Sequence, residues 1–132
     1  MDLNKAFGTD KNLEENGVWI TIDDTSAVHI ARFKNKKFLT KARAYMRKHR
    51  AYVELNGDLP DEVNRKLVAE TILLDWKGIK DEGKDVKYSQ EAACKIFEKY
   101  PDFLESIVDI SKDREAFRVE EIAADKETLG KS

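Results

Sequence analysis

Few residues in this chain have side chains that do chemistry, and they are scattered. His29 and His49 fall in different segments, and neither has a second ligand at metal-binding spacing. His29 reads as a cross-strand packing residue. Cys94 follows Ala93 in a helical pattern and reads as a small buried hydrophobe. A nucleophilic thiolate would need a basic neighbour or a helix N-terminus. Lys95 is adjacent, but no base can be assigned. "KDEGKD" (80–85) sets acids around a glycine without the alternating oxygen ligands of a calcium loop. Asp23-Asp24 reads as turn chemistry, and Gly78 and Gly83 are isolated rather than parts of a phosphate loop. No set of nucleophile, base and acid can be assembled. The expectation is a protein that is not an enzyme, with no catalytic residues, no metal and no cofactor.

A different chemistry is open to the segment from Arg32 to Arg50. Arg32, Lys34, Lys36, Lys37, Lys41, Arg43, Arg47, Lys48 and Arg50 follow one another with no acid among them. Such a stretch could neutralise phosphates. The competing reading is a solvated helix face beside the acidic C-terminal part. Phe38 and Tyr45 interleave the bases but fall on the apolar helical face, which favours core over base stacking. A basic surface of Arg32, Lys36, Lys37, Lys41, Arg43, Arg47 and Arg50 therefore stays as an alternative, a small nucleic-acid-binding or regulatory module. The weight of the reading is against nucleic acid.

The elements that must position these residues follow from periodicity. The 132 residues suit one domain with a real core. Charged residues make up 38%, yet the net charge is −2, so the charges read as solvated surface rather than a polyelectrolyte. One cysteine excludes an internal disulfide. The first residues lack a signal-peptide pattern, and no apolar run nears the ~18 residues of a membrane span. Residues 1–16 read as a flexible arm. "GVWITI" alternates, with Val18, Ile20 and Ile22 opposed to Trp19, and "AVHIARF" does the same. With the "DDTS" turn between them they predict a β-hairpin over 17–33.

Helical spacing takes over in 36–125. Phe38, Ala42 and Tyr45 mark a first helix, ended by Asn56-Gly57. A second opens at Pro60 and runs to about Lys77, with Val63, Leu67, Val68, Ile72 and Trp76 inward and Gly78 as its stop. Ser89 caps a third, with Ala92, Ala93, Ile96, Phe97 and Tyr100 on its apolar side. Pro101 opens a fourth, with Phe103, Leu104, Ile107, Val108 and Ile110 inward and Ala116, Phe117 and Ile122 as a continuation. The fold class is α+β, mostly helical: an N-terminal hairpin and about four helices in a single domain over 17–125, then a flexible tail over 126–132.

The order of these parts carries a resemblance. "GVW", "ILLDWKGI", "YSQEAA", "YPDF" and "DISKDREAF" run in sequence from about Gly17 to Phe117. In that order they resemble the tail assembly chaperones of long-tailed, siphovirus-type bacteriophages. None of the five is a catalytic signature. The resemblance implies a holdase that solubilises the tape measure protein and helps recruit the major tail tube protein, and that is absent from the finished virion. It implies host cell cytoplasm and no membrane, and it leaves homo-oligomerisation open. It implies a partner-binding surface, for which Trp19, Trp76, Ile79, Tyr100 and Phe103 are the candidates. Core is the stronger reading of Trp76, and Trp19 is the better interface residue. The family also implies a −1 ribosomal frameshift near the stop, giving a longer form that engages the tube subunit. Gly130-Lys131 is compatible with a slippery site, although the protein sequence hides the codons.

Overall fold

The computed structural model describes residues 1–118. The tail at 126–132, Ile122 and Gly130-Lys131 lie outside the described residues. The elements are α1 (Leu3–Phe7), α2 (Lys11–Asn16), β1 (Val18–Thr21), β2 (Ala27–Ile30), α3 (Lys36–Lys48), α4 (Arg50–Asn56), α5 (Asp61–Thr71) and β3 (Leu73–Lys77). Then come β4 (Lys80–Asp81), β5 (Lys84–Asp85), α6 (Gln90–Lys99), α7 (Pro101–Lys112) and a 3-10 turn, Arg114–Phe117. The class is α+β and mostly helical, but the N-terminus is helical and the hairpin follows it.

Residues 1–16 are therefore not the loose arm that their polarity suggested. Asp2 and Asp10 each cap a short helix by accepting amide hydrogens. Contacts to residues far along the chain tie the segment down. Arg32 pairs with Glu14 at 2.9 Å, the Lys36 amide donates to Glu15 at 2.7 Å, and the Asp10 amide donates to the Phe117 carbonyl at 2.8 Å. Polar patterning hides such ties because they are made to residues far along the chain.

The hairpin forms as its alternation predicts, with Val18 opposite Ile30 and Thr21 opposite Ala27. It does not stand alone. β3 pairs antiparallel with the other flank of β2, giving the order β1-β2-β3, with a register shift at His29/Ile30. This corrects the single helix expected from Pro60 to Lys77. The helix stops at Thr71, and the next residues are sheet. The apolar residues of "TILLDW" are dense enough to satisfy either period, so spacing could not decide. Tertiary pairing did: a two-stranded ribbon is marginal in water, and β3 completes it. Gly78 is accordingly a strand exit at φ 67°, not a helix stop. A Cβ there would sit 1.9 Å from the Thr25 carbonyl oxygen, so the close approach needs glycine.

The inner sheet face, α5, α6 and α7 enclose the main core of Val28, Ile30, Val68, Ile72, Leu73, Trp76, Ala93, Phe97 and Ile107. Leu59, Val63 and Leu67 form a satellite cluster against Phe38, Ala42 and Tyr45 of α3. Ser89 caps α6 as expected, accepting from the Ala92 amide at 2.9 Å, and Pro101 opens α7. Tyr100 departs from expectation. It lies at the α6–α7 junction and is exposed rather than part of the apolar stripe. α7 ends at Lys112, and Phe117 is fully buried beyond the break.

Asn35 joins the sheet to the helices. Its amide nitrogen donates to the Arg32 carbonyl at 2.7 Å and to the Thr71 carbonyl at 2.9 Å, while its oxygen caps α3 by accepting from the Phe38 amide at 2.9 Å. The side chain is buried, so losing it strands groups that water cannot reach. Asn35→Ala should cost roughly 2–4 kcal/mol in chemical denaturation, combining cap and orphaned-carbonyl terms. At an ordinary cap Asp replaces Asn without loss. Here Asn35→Asp should be no more stable than Asn35→Ala, because a carboxylate cannot donate to Thr71. A near-neutral Asp variant would show that only the cap matters.

Candidate functional site

The described residues form an open groove where three distant segments meet. The β1–β2 turn contributes Ile22, Asp23, Thr25 and Ser26; the β3 exit contributes Gly78, Ile79 and Lys80; the α6–α7 corner contributes Ile96, Tyr100, Asp102 and Phe103. The groove holds about 640 Å³, and Ile22, Ile79, Ile96 and Phe103 supply its apolar lining. Each wall has a local cause. Asp23 shapes the turn by accepting from the Ser26 hydroxyl at 2.7 Å and the Thr25 amide at 2.9 Å. These bonds, the Ser26 one first, hold its carboxyl below the usual range. The approach of Gly78 to Thr25 sets the β3 exit against that turn.

The third wall, the α6–α7 corner, is held by "KDEGKD", which folds as a minute hairpin. Lys80 and Asp81 pair with Asp85 and Lys84 across Glu82-Gly83, both at positive φ. That is the backbone of a tight two-residue turn. Asp81 accepts hydrogen bonds from the Tyr100 hydroxyl and from Lys99, the latter at 2.9 Å. Those two bonds, Tyr100 first, keep the carboxyl below its ordinary range. Tyr100 is thereby drawn to the groove edge.

Asp23 is committed to its turn, and Asp81 to its two donors. Among the described residues no three His, Cys, Asp or Glu side chains cluster as metal ligands. No helix among them is long and apolar enough to cross a membrane. His29 is stacked on Trp19 with ring centroids 4.9 Å apart. His49 sits at the α3–α4 break. Burial pushes the Cys94 thiol up, with Glu70 adding to it, away from the thiolate. The groove can bind, and what it offers is apolar surface rimmed by a few polar groups.

Of the five partner-binding candidates, Ile79, Tyr100 and Phe103 meet in this groove. Trp76 does not: it is 5% exposed, and its indole nitrogen donates to the Val86 carbonyl at 2.7 Å. Trp19 is exposed on the outer sheet face, under the Lys77 ammonium at 4.2 Å. Ile22 and Ile96 were not singled out from sequence. Ile22 belongs to the hairpin and Ile96 to the core stripe of α6, and only folding sets both beside Phe103.

The family scan matches residues 29–131, most of the chain, to the YdaY prophage protein family. The chain belongs to this family. It is thus of phage origin. The YdaY match begins within β2, at His29, and takes in everything described after it, so it includes the groove walls from Gly78 to Phe103 but not the Ile22 turn. No curated protein and no solved structure matches the chain significantly.

The basic stretch of this YdaY chain is partly consumed by internal pairing. Arg32 is held by Glu14, Lys41 by Glu70 at 2.7 Å, and Arg50 by Glu54 at 3.0 Å. Glu15 lies beside Lys36, Lys37 and Lys41. Arg43 and Arg47 remain exposed on α3. Acids from α2, α4 and α5 therefore dilute the field that sequence alone showed as unbroken. Glu70 is the centre of the α3–α5 contact, accepting from Lys41 and from the Tyr45 hydroxyl at 2.5 Å. Burial raises its carboxyl pKa, but the hydrogen bonds from Lys41 and Tyr45 outweigh that and leave it lowered. Tyr45 is pushed up to about 12, by the Glu70 hydrogen bond first and burial second.

The signs give a test. Glu70 has a depressed folded pKa, so its contribution is present above the ordinary Glu value and is lost as pH falls through the lower folded value. Wild type should exceed Glu70→Gln by about 1 kcal/mol at neutral pH, and the two should converge in acid. Tyr45 has a raised folded pKa, so its share persists up to the ordinary Tyr value and is lost as pH rises towards about 12. Glu70→Gln should lower the pH at which Tyr45 ionises, read from tyrosinate absorbance. A pH-independent gap between the two proteins would refute the assignment.

Proposed function

We propose that this YdaY-family protein is a tail assembly chaperone of a long-tailed phage, and that the groove of Ile22, Ile79, Ile96 and Phe103 holds an apolar helical stretch of the tape measure protein. The observation that carries the reading is the groove itself: open, with Ile22, Ile79, Ile96 and Phe103 set among a few polar side chains. Phage origin and the order of the sequence motifs support it. A helix is ~10 Å across, so a groove of about 640 Å³ accepts the anchor side chains of one face rather than a whole helix. Two acids, Asp23 and Asp102, and one base, Lys80, line it, a balance that favours a partner with Lys or Arg flanking its apolar stripe.

The mechanism is mass action. A bound apolar stripe is withdrawn from aggregation, and release needs only a competitor for it, such as the polymerising tube. No turnover is required. The work takes place in the host cell cytoplasm. In the same proposal a minority longer product, made by frameshifting near Gly130-Lys131, carries an extension that recruits the tube subunit.

Co-expression with the tape measure protein encoded beside it tests the groove. Ile79→Asp and Phe103→Ser should each reduce the soluble tape measure fraction several-fold, while circular dichroism shows both variants folded. Trp19→Ala, on the other sheet face, should leave that fraction unchanged. Full solubility with both folded groove variants would remove the groove from the mechanism.

A further inference from the structure

The sheet has one protected edge and one open edge. On the β3 side, Tyr88 donates its hydroxyl to the Leu73 carbonyl at 2.5 Å, and Trp76 reaches across to Val86. On the β1 side nothing equivalent is found among the described residues. The Ile22 amide donates to the Ser26 carbonyl at 2.9 Å, which makes 22/26 a hydrogen-bonded pair. By antiparallel alternation Ile20 and Val18 also point their backbone groups at β2. The odd-numbered residues of β2 serve β3, as the Ala31 amide does with the Ile72 carbonyl at 2.9 Å. Trp19 and Thr21 are left with N–H and C=O groups directed outward. Among the described residues no hydrogen bond to those groups is found.

Open edges are normally blunted by a lysine, a proline, a bulge or a covering segment. The stretch Gly17–Ile22 contains no charge and no proline, and β1 pairs with β2 without a bulge. Trp19 is 42% and Ile22 48% exposed. The edge is also self-complementary. Turned about a two-fold axis at Ile20, it places Trp19 opposite Thr21 of the partner subunit, and the outward groups of both residues then meet in four main-chain hydrogen bonds. The paired stretch itself carries no charge, and the acids Glu14, Glu15, Asp23 and Asp24 lie outside it.

We propose that the protein self-associates through antiparallel β1–β1 pairing, which joins two three-stranded sheets into one of six strands. The occupant of the edge is a second copy of this chain. The ladder is short and the apolar area modest, so the dimer lies at the small, exchanging end of the range for specific interfaces. The inference is independent of the groove reading, and Trp19 and Thr21 do not line the groove.

Sedimentation velocity of the full chain from ~1 to ~100 µM should show a concentration-dependent shift from monomer to dimer mass. Thr21→Pro removes only an outward N–H, which an edge strand tolerates. It should abolish the shift and leave the far-ultraviolet spectrum unchanged. A second arm does not depend on that variant folding. In the pairing Ile20 faces its own copy in a non-hydrogen-bonded pair, with Cα atoms about 4.5 Å apart, within disulfide reach. Ile20→Cys in a Cys94→Ala background should cross-link under copper-phenanthroline oxidation, and Val28→Cys should not. A chain monomeric at every concentration overturns the proposal. So does a dimer that fails to cross-link at position 20, since it must use another surface.

Discussion

β2 is flanked on both sides, and its second flank is the constraint on which the molecule rests. The backbone groups of its even-numbered residues turn towards β1 and those of its odd-numbered residues towards β3. Without β3 the hairpin would be a two-stranded ribbon with half the backbone groups of β2 unmatched. With β3 in place, one sheet face presents Val28, Ile30 and Trp76 together, wide enough for α5, α6 and α7 to close over it. Inserting β3 obliges α5 to end at Thr71, and Asn35 takes up the carbonyl that this ending exposes. A buried polar side chain with every group satisfied is costly to replace, and so it specifies the turn from α5 into the sheet as well as stabilising it.

Electrostatics follow the same arrangement. The bases of α3 are uninterrupted by acids in sequence, yet in space acids from other elements lie against the helix: Glu15 of α2 beside Lys36, Lys37 and Lys41, and Glu70 of α5 on Lys41. Most such pairs are exposed and contribute little each. The Lys41–Glu70–Tyr45 group is more sheltered and uses both carboxylate oxygens, so it orients α3 on α5. Its effect is local fixation of one helix, not a long-range field.

The groove is a by-product of these constraints. The β3 exit must pass close to the Thr25 carbonyl, which only Gly78 permits, and the "KDEGKD" hairpin must fold back towards Tyr100. Ile22, Ile79 and Phe103 are left facing one another across space that no side chain of the described residues fills. A surface of this kind suits capture of another chain's apolar residues. Membership of a prophage family limits where such a chain would come from.

Sequence alone determined a good deal. Alternation fixed the hairpin, helical spacing found α3, α6 and α7, and cap chemistry placed the starts of α6 and α7 at Ser89 and Pro101. Three matters were decided only by tertiary structure. "ILLDWK" satisfies both a helical and a strand period, and the vacant flank of β2 chose between them. The N-terminal segment has too little pattern to read, and its ties to Arg32, Lys36 and Phe117 span the chain. The groove joins residues from 22 to 103, and periodicity reports which face of its own element a residue occupies, never which distant face it will meet.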